Sequence, residues 1–238
     1  MRRTRRLAAP RAKSRPAPDQ NAFRALLARG GIRLDATQLD RLWRYHNLLR
    51  SRNQGSELTR LIGFESMVVK HYVDSMIVAD LCEIPSPIVD VGTGAGLPGI
   101  PLKIRLPKLK LVLAEPRPKR VEFLHEAVRE LRLEGVSVFP HKVVSRSFTQ
   151  PMKGAISRAL EPIEKTVLRT SGCLSEGGLL VFLKGPAVAP EIQAARTRFG
   201  SAIEVVLDKS YVLPGTRFDR RLVVLRRTSD SASLEAAA

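Results

Sequence analysis

The stretch from Asp90 to Leu102 limits what this chain can fold into more than any other part of the sequence. An apolar run at 87–91 leads into it, which is typical of a short buried parallel strand. Four glycines follow within eight positions, and apolar residues then return at helical spacing over 100–104. A strand, a glycine-rich turn and a helix in this order bring bare backbone and a helix N-terminus against a nucleotide-like ligand. The stretch therefore predicts an α/β fold with a ligand site at this turn.

The residues of the turn distinguish between two kinds of ligand. Gly92 and Gly94 match the start of the G-x-G-x-x-G pattern of dinucleotide sites, but Leu97 occupies the third glycine position. Asp90 lies two residues before the first glycine, where a dinucleotide site normally has an apolar residue. The pattern Asp90-x-Gly92-x-Gly94-x-Gly96 instead resembles the S-adenosylmethionine (SAM) loop of Rossmann-like methyltransferases. It favours a SAM-dependent methyltransferase over a dehydrogenase and makes these four residues candidate cofactor contacts.

The chain is strongly basic. Its 238 residues carry 40 Lys and Arg against 23 Asp and Glu, a formal net charge of +17. This charge makes a polyanion the expected partner, nucleic acid before a membrane surface, with a solubilising charge bias as the alternative. No apolar run approaches the roughly 20 residues that span a bilayer, so no membrane partner is expected.

The two cysteines bear on location and chemistry. Cys82 and Cys173 are far apart and outside any metal-ligand spacing, so neither a zinc site nor a disulfide scaffold is supported. We therefore expect no metal and a reducing, cytoplasmic location. Cys82 precedes the predicted strand and Cys173 ends a predicted helix, which disfavours the nucleophilic cysteine that carbon-5 pyrimidine methylation needs.

Composition divides the chain into four parts. Residues 1–18 contain seven basic residues and no acidic one, which predicts a disordered arm. The role of this arm is open between an RNA contact, an organelle transit peptide and no role. Residues 19–82 are predicted to form a helical N-terminal region, 83–227 a Rossmann-like methyltransferase domain, and 228–238 a disordered Ser/Ala tail.

Hydrophobic periodicity predicts the elements of these parts. Helices are expected at 21–30, 36–50, 64–81, 117–133, 163–173 and 190–199, and strands at 87–91, 110–115, 136–139, 154–157, 179–183, 203–207 and 222–225. Little sequence separates the last two strands, so the last is expected to be antiparallel. The predicted fold class is α/β: an about seven-stranded, mostly parallel sheet flanked by helices, with a small helical N-terminal region.

Several polar residues stand out within these elements. Glu115 ends the second predicted strand, 19 positions beyond Gly96, where an acidic side chain reaches the ribose hydroxyls of a bound nucleoside. His71, Asp74 and Ser75 lie within one turn of each other on the third predicted helix. From the residues alone, this group is interpreted as an exposed polar face.

The sequence resembles the RsmG/GidB family of 16S ribosomal RNA methyltransferases over roughly residues 20–227. The matching segments follow the family's order and are Val69–Ser75, Asp90–Leu102, Lys119–Leu124, Ile156–Ala159 and Leu183–Gly185. The Leu-Pro-Gly-Ile-Pro extension of the glycine turn is more specific than a generic SAM motif. The resemblance implies a helical N-terminal region on a Rossmann-like domain that methylates N7 of a guanine in the 530 loop of small-subunit rRNA.

The resemblance also implies cofactor contacts. Gly92 and Leu97 would contact SAM, Glu115 its ribose, and Val143 and Val144 the region of its adenine. The chain departs from the family here, since Lys-Val-Val at 142–144 stands where Arg-Val-Glu is usual and a carboxylate near the adenine is missing.

Three further residues are implied as catalytic candidates. Arg158 would lie at the mouth of the pocket, touching cofactor or target, and His71 and Asp74 would face the same cleft. Methyl transfer to guanine N7 needs alignment more than a general base, because N7 is a neutral lone pair at physiological pH. No Cys/His or Ser/His/Asp constellation lies near the turn, which is consistent with this chemistry.

The expected substrate is RNA whose target base is unpaired, because N7 faces the deep and narrow major groove of an RNA helix. Candidates for the RNA-facing surface are Lys119, Arg120, Arg217, Arg220, Arg221, Arg226 and Arg227. The expected partner is 16S rRNA, in the small ribosomal subunit or its precursor, and the chain is expected to be a monomer. Two other interpretations stay open: a SAM methyltransferase with another acceptor, and a non-catalytic RNA-binding or ribosome-assembly factor on this fold.

Overall fold

The computed structural model describes residues 18–228, except for the side chains of 54–56. The predicted arm and tail lie outside the described residues, apart from Pro18 and Thr228. The N-terminal helices are α1 (Gln20–Arg29), α2 (Ala36–Ser56), α3 (Phe64–Met67), a π-helical segment (Val68–Val73), α4 (Asp74–Met76) and α5 (Val78–Leu81). The predicted third helix is therefore present, with a π-helical segment inside it.

A single sheet forms the centre of the described chain. Its seven strands are β1 (Ile88–Val91), β2 (Leu111–Ala114), β3 (Val136–Phe139), β4 (Met152–Arg158), β5 (Leu174–Lys184), β6 (Ile203–Val212) and β7 (Asp219–Arg227). They lie in the order β3-β2-β1-β4-β5-β7-β6, and β1 to β5 are parallel. β7 is antiparallel to both of its neighbours, as the sequence predicts. The predicted fold class is confirmed.

The remaining helices cover the two faces of the sheet. They are α6 (Gly99–Arg105), α7 (Pro118–Glu130), α8 (Ile163–Thr170) and α9 (Ala189–Phe199), with short 3₁₀ helices at Ser171–Cys173, Pro186–Val188 and Gly200–Ala202. Side chains of α6, α7 and the N-terminal helices form one buried apolar cluster, and those of α8 and α9 form another. Both faces of the central parallel strands are thus buried, which explains their continuous apolar sequence.

Some elements are longer than the sequence predicts. α2 continues to Ser56, and Glu57 in the left-handed conformation follows it. β6 and β7 extend beyond their apolar runs because charged side chains pair across them: Arg226 with Glu204 at 2.9 Å, and Arg221 with Asp208 at 2.6 Å. Cross-strand ion pairs support strands that apolar periodicity does not reveal.

The order of the strands decides where a ligand site forms. β1 has β2 on one side and β4 on the other, so the chain leaves β1 in one direction and later returns to its other edge. Crevices at such a switch point, outside the carboxyl ends of parallel strands, are the usual ligand sites of α/β sheets. The glycine turn that follows β1 lies at this position.

Candidate cofactor and substrate site

Asp90 holds the glycine turn together from within. Its carboxylate is fully buried at the end of β1, where Oδ2 accepts a hydrogen bond from the Thr93 hydroxyl at 2.5 Å and from the Gly99 amide at 2.7 Å. Both donors belong to the turn and the start of α6, so the carboxylate ties strand, turn and helix together. Burial raises the pKa of Asp90 to about 6, against the opposing effect of these two hydrogen bonds. Asp90 does not line the cavity described below.

The turn presents backbone in place of side chains. Gly92 and Gly94 have φ values of +68° and +62°, a conformation that L-residues with a Cβ rarely adopt. A Cβ on Gly94 would meet only the Arg120 guanidinium, at 3.5 Å, so this backbone is open to a ligand. The side chain of Leu160 covers Gly92, 2.5 Å from where a Cβ would stand. Gly96 is buried against Ile100, beneath the surface of the turn.

Glu115 closes the turn from the neighbouring strand. Its Oε2 accepts a hydrogen bond from the Gly94 amide at 3.0 Å, and its Oε1 accepts one from the Arg117 amide at 3.0 Å. The carboxylate is buried, and the Arg120 guanidinium lies 3.8 Å from it. Glu115 therefore stands directly beside the turn, as predicted for a ribose contact, although it does not line the cavity.

A cavity of about 550 Å³ opens between the glycine turn, the π-helical segment and the carboxyl ends of β4 and β5. It brings together the predicted residues His71, Asp74, Gly92, Gly94, Leu97 and Arg158. Its basic lining residues are Lys70, Arg117, Arg120, Arg158, Lys184 and Arg220. Among the described residues, Asp74 supplies the single carboxylate of this lining. Glu115 and Glu191, outside the lining, lie 3.8 Å from Arg120 and 2.7 Å from Lys184, so part of this charge is compensated and the cavity has a net positive charge.

Asp74 pairs with two arginines inside this cavity. Its side chain is buried, with Oδ2 accepting from Arg158 Nη1 at 3.3 Å and Oδ1 accepting from Arg220 Nε at 3.0 Å. Arg158 Nη1 also donates to the carbonyl oxygen of Lys70 at 2.8 Å. The two guanidinium groups thus have a common anchor, and Arg158 is tied to the π-helical segment.

His71 completes the group around Arg158. Its Nε2 lies 2.8 Å from Thr59 Oγ1, and its Nδ1 lies 3.5 Å from Arg158 Nη2. Both ring nitrogens therefore have a polar partner within reach. Burial and the Arg158 charge lower the pKa of His71 to about 3, so the ring is neutral at physiological pH.

The interpretation of His71, Asp74 and Ser75 as an exposed polar face is wrong. Their side chains are buried, because this helical segment lies between the α1–α2 layer and the edge of the sheet. The periodicity of one helix shows which residues share a face. The arginines that neutralise Asp74 are 84 and 146 residues away, so that periodicity cannot show them.

Val143 and Val144 do not line the cavity. Val143 is buried in the apolar cluster of α8 and α9, and Val144 is 54% exposed. The carbonyl oxygen of Val144 accepts from Cys173 Sγ at 2.9 Å. Their predicted contact with the adenine of SAM stays a prediction.

The structure adds residues that sequence reasoning missed. The Tyr45 hydroxyl, buried on α2, donates to the carbonyl oxygen of Ala95 in the glycine turn at 2.6 Å. Lys70, from the segment Val69–Ser75 that resembles the family, and Thr59 also line the cavity, although neither was a candidate site residue. Arg120 and Arg220, expected only on an outer RNA-facing surface, lie in the cavity itself.

The described residues contain no group of three or more His, Cys, Asp or Glu side chains placed to hold a metal ion. Over residues 18–228, no helix has both the length and the apolar character needed to cross a membrane.

The fold and the turn together define a Rossmann-like SAM-dependent methyltransferase. The structure is similar to a ribosomal protein L11 methylase from Lactobacillus delbrueckii subsp. bulgaricus, with a TM-score of 0.52 and 14% identity over 67% of this chain and 79% of that one. At this identity the likeness shows the fold.

The family follows from sequence comparison. The family model GidB, rRNA small subunit methyltransferase G, matches residues 38–213. A "Ribosomal RNA small subunit methyltransferase G 2" of Syntrophobacter fumaroxidans is 47% identical over 92% of this chain, which spans 43% of that relative's length. A protein of the same name from Bdellovibrio bacteriovorus is 37% identical over 80% of this chain and 74% of its own. The chain belongs to the GidB family, which confirms the resemblance.

Proposed function

We propose that this chain transfers the methyl group of SAM to N7 of a guanine in 16S rRNA, by resemblance the guanine of the 530 loop. The observation that carries the proposal is a glycine turn at the switch point, with its backbone open at Gly94, beside a cavity lined by six basic side chains and one carboxylate. The turn suits a nucleoside, and the basic lining suits RNA phosphates. Family membership makes ribosomal RNA the expected polyanion.

The residues around the turn fit SAM. Oδ1 of Asp90 is buried and has no hydrogen-bond partner within the described chain, and the Gly94 backbone is open on its outer side. A volume of about 550 Å³ is in the ordinary range for small-molecule sites. We assign the binding of SAM to Asp90, Gly92, Gly94, Gly96, Leu97 and Glu115. When bound, SAM supplies a methyl group on a positively charged sulfur.

The titratable groups of the cavity suit an acceptor that need not lose a proton. His71 is neutral and already bonded to Thr59, and Asp74 is engaged by two arginines. Neither group is free to act as a strong general base. Cys82 and Cys173 are not part of the lining, so a nucleophilic cysteine is also lacking there. The neutral lone pair of guanine N7 fits this environment, because alignment is the main requirement for the transfer.

Arg158 is the residue to which we assign contact with the target nucleotide. It lines the cavity and is held by three groups: the Lys70 carbonyl, the Asp74 carboxylate and the His71 ring. Because this guanidinium is already fixed in the folded chain, it can orient a phosphate or the guanine O6 with little further loss of conformational entropy. His71 and Asp74 then act as positioning residues for Arg158.

We further propose that the chain acts as a monomer in the cytoplasm, on the small subunit or its precursor. The basic cavity lining supports an RNA partner, whether the small subunit or its precursor. The monomeric state and the cytoplasmic location are proposed from the sequence. Sedimentation of the purified chain and fractionation of cells would test the monomer and its location.

The decisive experiment maps N7-methylguanosine in rRNA from cells with the gene, without it, and with only the Arg158→Ala variant. We expect one modified guanine to disappear without the gene and to stay strongly reduced with the variant. An unchanged modification pattern in all three strains would contradict the proposed reaction. Calorimetric titration with SAM separates the alternatives, because a non-catalytic assembly factor need not bind it.

A further inference from the structure

A second cavity, of about 410 Å³, lies next to the first. Its wall is formed by α1, the start of the helical segment at 64–70, and the loop that joins β6 to β7. We call it the flank pocket, defined by Arg29, Glu65, Lys70, Arg217 and Phe218. Lys70 lines both cavities, so the flank pocket continues directly from the proposed target site.

The loop that carries Arg217 and Phe218 is held in place by its own hydrogen bonds. The Leu213 amide donates to the Phe218 carbonyl at 3.0 Å, and the Thr216 hydroxyl donates to the Leu213 carbonyl at 2.7 Å. The Phe218 amide donates to Thr216 Oγ1 at 3.0 Å, and the Leu213 side chain is fully buried. The wall of the pocket is therefore preformed, which lowers the entropic cost of binding there.

The exposed groups of the flank pocket match single-stranded RNA. Phe218 is 41% exposed, and the Lys70 ammonium lies 3.9 Å from the centroid of its ring. Three cations face one carboxylate, Glu65, whose ion pair with Arg29 at 3.2 Å is solvent-exposed and weak. An aromatic ring among cations binds unpaired RNA through base stacking and phosphate contacts.

We propose that the flank pocket binds the nucleotide next to the methylated guanosine, with its base against Phe218 and its phosphate near Lys70 and Arg217. This inference rests on the proposed function, since it takes rRNA as the substrate. A guanine whose N7 must be reached has left its stack, and its neighbour then needs a separate holding site. Because Lys70 lines both cavities, the flank pocket adjoins the proposed target site and can hold that neighbour.

The test compares four variants of the full chain. Phe218→Leu keeps apolar volume and removes the ring, Phe218→Trp keeps the stacking surface, and Arg217→Ala removes one charge. Lys108→Ala is the matched charge control, because Lys108 is exposed in the loop before β2, at the opposite edge of the sheet. Binding of deproteinised 16S rRNA from cells lacking the gene is measured over a range of salt, together with KM for that rRNA and Kd for SAM.

We expect Phe218→Leu to raise Kd and KM for the rRNA about tenfold, with Phe218→Trp close to the unmodified chain. Arg217→Ala should weaken rRNA binding several-fold and reduce its salt slope by about 1. Lys108→Ala should change neither quantity, and none of the four should change Kd for SAM by more than twofold.

Unchanged rRNA binding in both Phe218→Leu and Arg217→Ala would overturn the proposal. Equal losses in Phe218→Leu and Phe218→Trp would also overturn it, because they would show a role in packing. The same variants are also measured with small ribosomal subunits from those cells, and an effect seen only with the subunits would assign the pocket to a protein partner and overturn the proposal as well. These readouts are separate from methylation: an rRNA that binds as expected but is never methylated would refute the proposed function alone.

Discussion

Two buried aspartates, Asp90 beneath the glycine turn and Asp74 in the cavity wall, have different surroundings. Asp90 accepts hydrogen bonds from a hydroxyl and an amide, donated by residues 3 and 9 positions further along the chain. Asp74 accepts from two guanidinium groups that are 84 and 146 positions away. Asp90 thus has only neutral hydrogen-bond donors, from its own turn and the helix that follows, whereas Asp74 has charged partners from distant strands.

The difference separates two tasks. Asp90 stabilises a backbone shape, the turn that would hold the cofactor, and local donors are sufficient for that. Asp74 positions charge, because Arg158 and Arg220 need a common anchor to stay side by side in spite of their repulsion. We therefore expect substitutions at Asp90 to affect SAM binding and substitutions around Asp74 to affect turnover on rRNA.

The largest effect is expected from Asp90→Ala. The change removes the acceptor for Thr93 and Gly99, so the turn loses its internal support. We expect SAM affinity to fall more than 100-fold by calorimetry, while circular dichroism shows that the fold is retained. Asp90→Asn is the control, since it keeps the volume and one acceptor oxygen and should bind more tightly than the alanine variant. SAM binding of normal strength in Asp90→Ala would refute the assignment of the turn.

The second prediction concerns the Asp74 side. Arg158→Ala should lower turnover on rRNA at least tenfold, about 1.4 kcal/mol of transition-state stabilisation, with Kd for SAM within twofold. If Asp74 acts through Arg158, the double variant with Asp74→Ala should be little slower than the slower single variant. Additive losses would show that Asp74 has a role of its own. Unchanged turnover in Arg158→Ala would remove this residue from the site.

A smaller effect should come from the helical region. Tyr45→Phe removes the hydroxyl that donates to the Ala95 carbonyl, which costs about 1 kcal/mol of unfolding free energy. We expect Kd for SAM to rise about fivefold, because Ala95 belongs to the turn. Tyr72→Phe is the matched control: its buried hydroxyl lies 3.0 Å from His46 Nδ1 and not at the turn. Denaturant unfolding and calorimetry should show that both variants lose stability and that only Tyr45→Phe loses SAM affinity.

The smallest effect is a dependence of SAM binding on pH. Burial raises the pKa of Asp90 to about 6, so a growing fraction of the free chain is protonated below that pH. A cationic ligand favours the ionised carboxylate, and its affinity therefore falls as pH falls. If binding returns the pKa to its ordinary value, Kd should rise about fourfold between pH 7.5 and 5.5.

His71 does not contribute to this dependence, because its pKa of about 3 keeps it neutral throughout that range. Calorimetry at several pH values measures the change, and Asp90→Asn should show a flat profile. A profile that stays equally steep in Asp90→Asn would assign the titration to another group.

The sequence was most informative where chemistry is local. The strand, the glycines and Asp90 are contiguous, so their spacing alone predicted the turn that the structure contains. The cap of α2 is also a local contact: Asp35 accepts a hydrogen bond from the Gln38 amide at the start of this helix. β6 and β7 were predicted too short, because ion pairs between these two strands involve residues outside their apolar runs.

The sequence by itself determined the α/β class, the glycine turn and the positive charge, since each follows from composition or short-range spacing, and its segments carried the family resemblance. Only the tertiary structure decided that Asp74 is buried between two arginines, that Tyr45 supports the turn, and that Phe218 stands beside Lys70. These contacts join residues that lie 50 to 148 positions apart. Their formation depends on how the helical region packs on the sheet, and no local pattern records that packing.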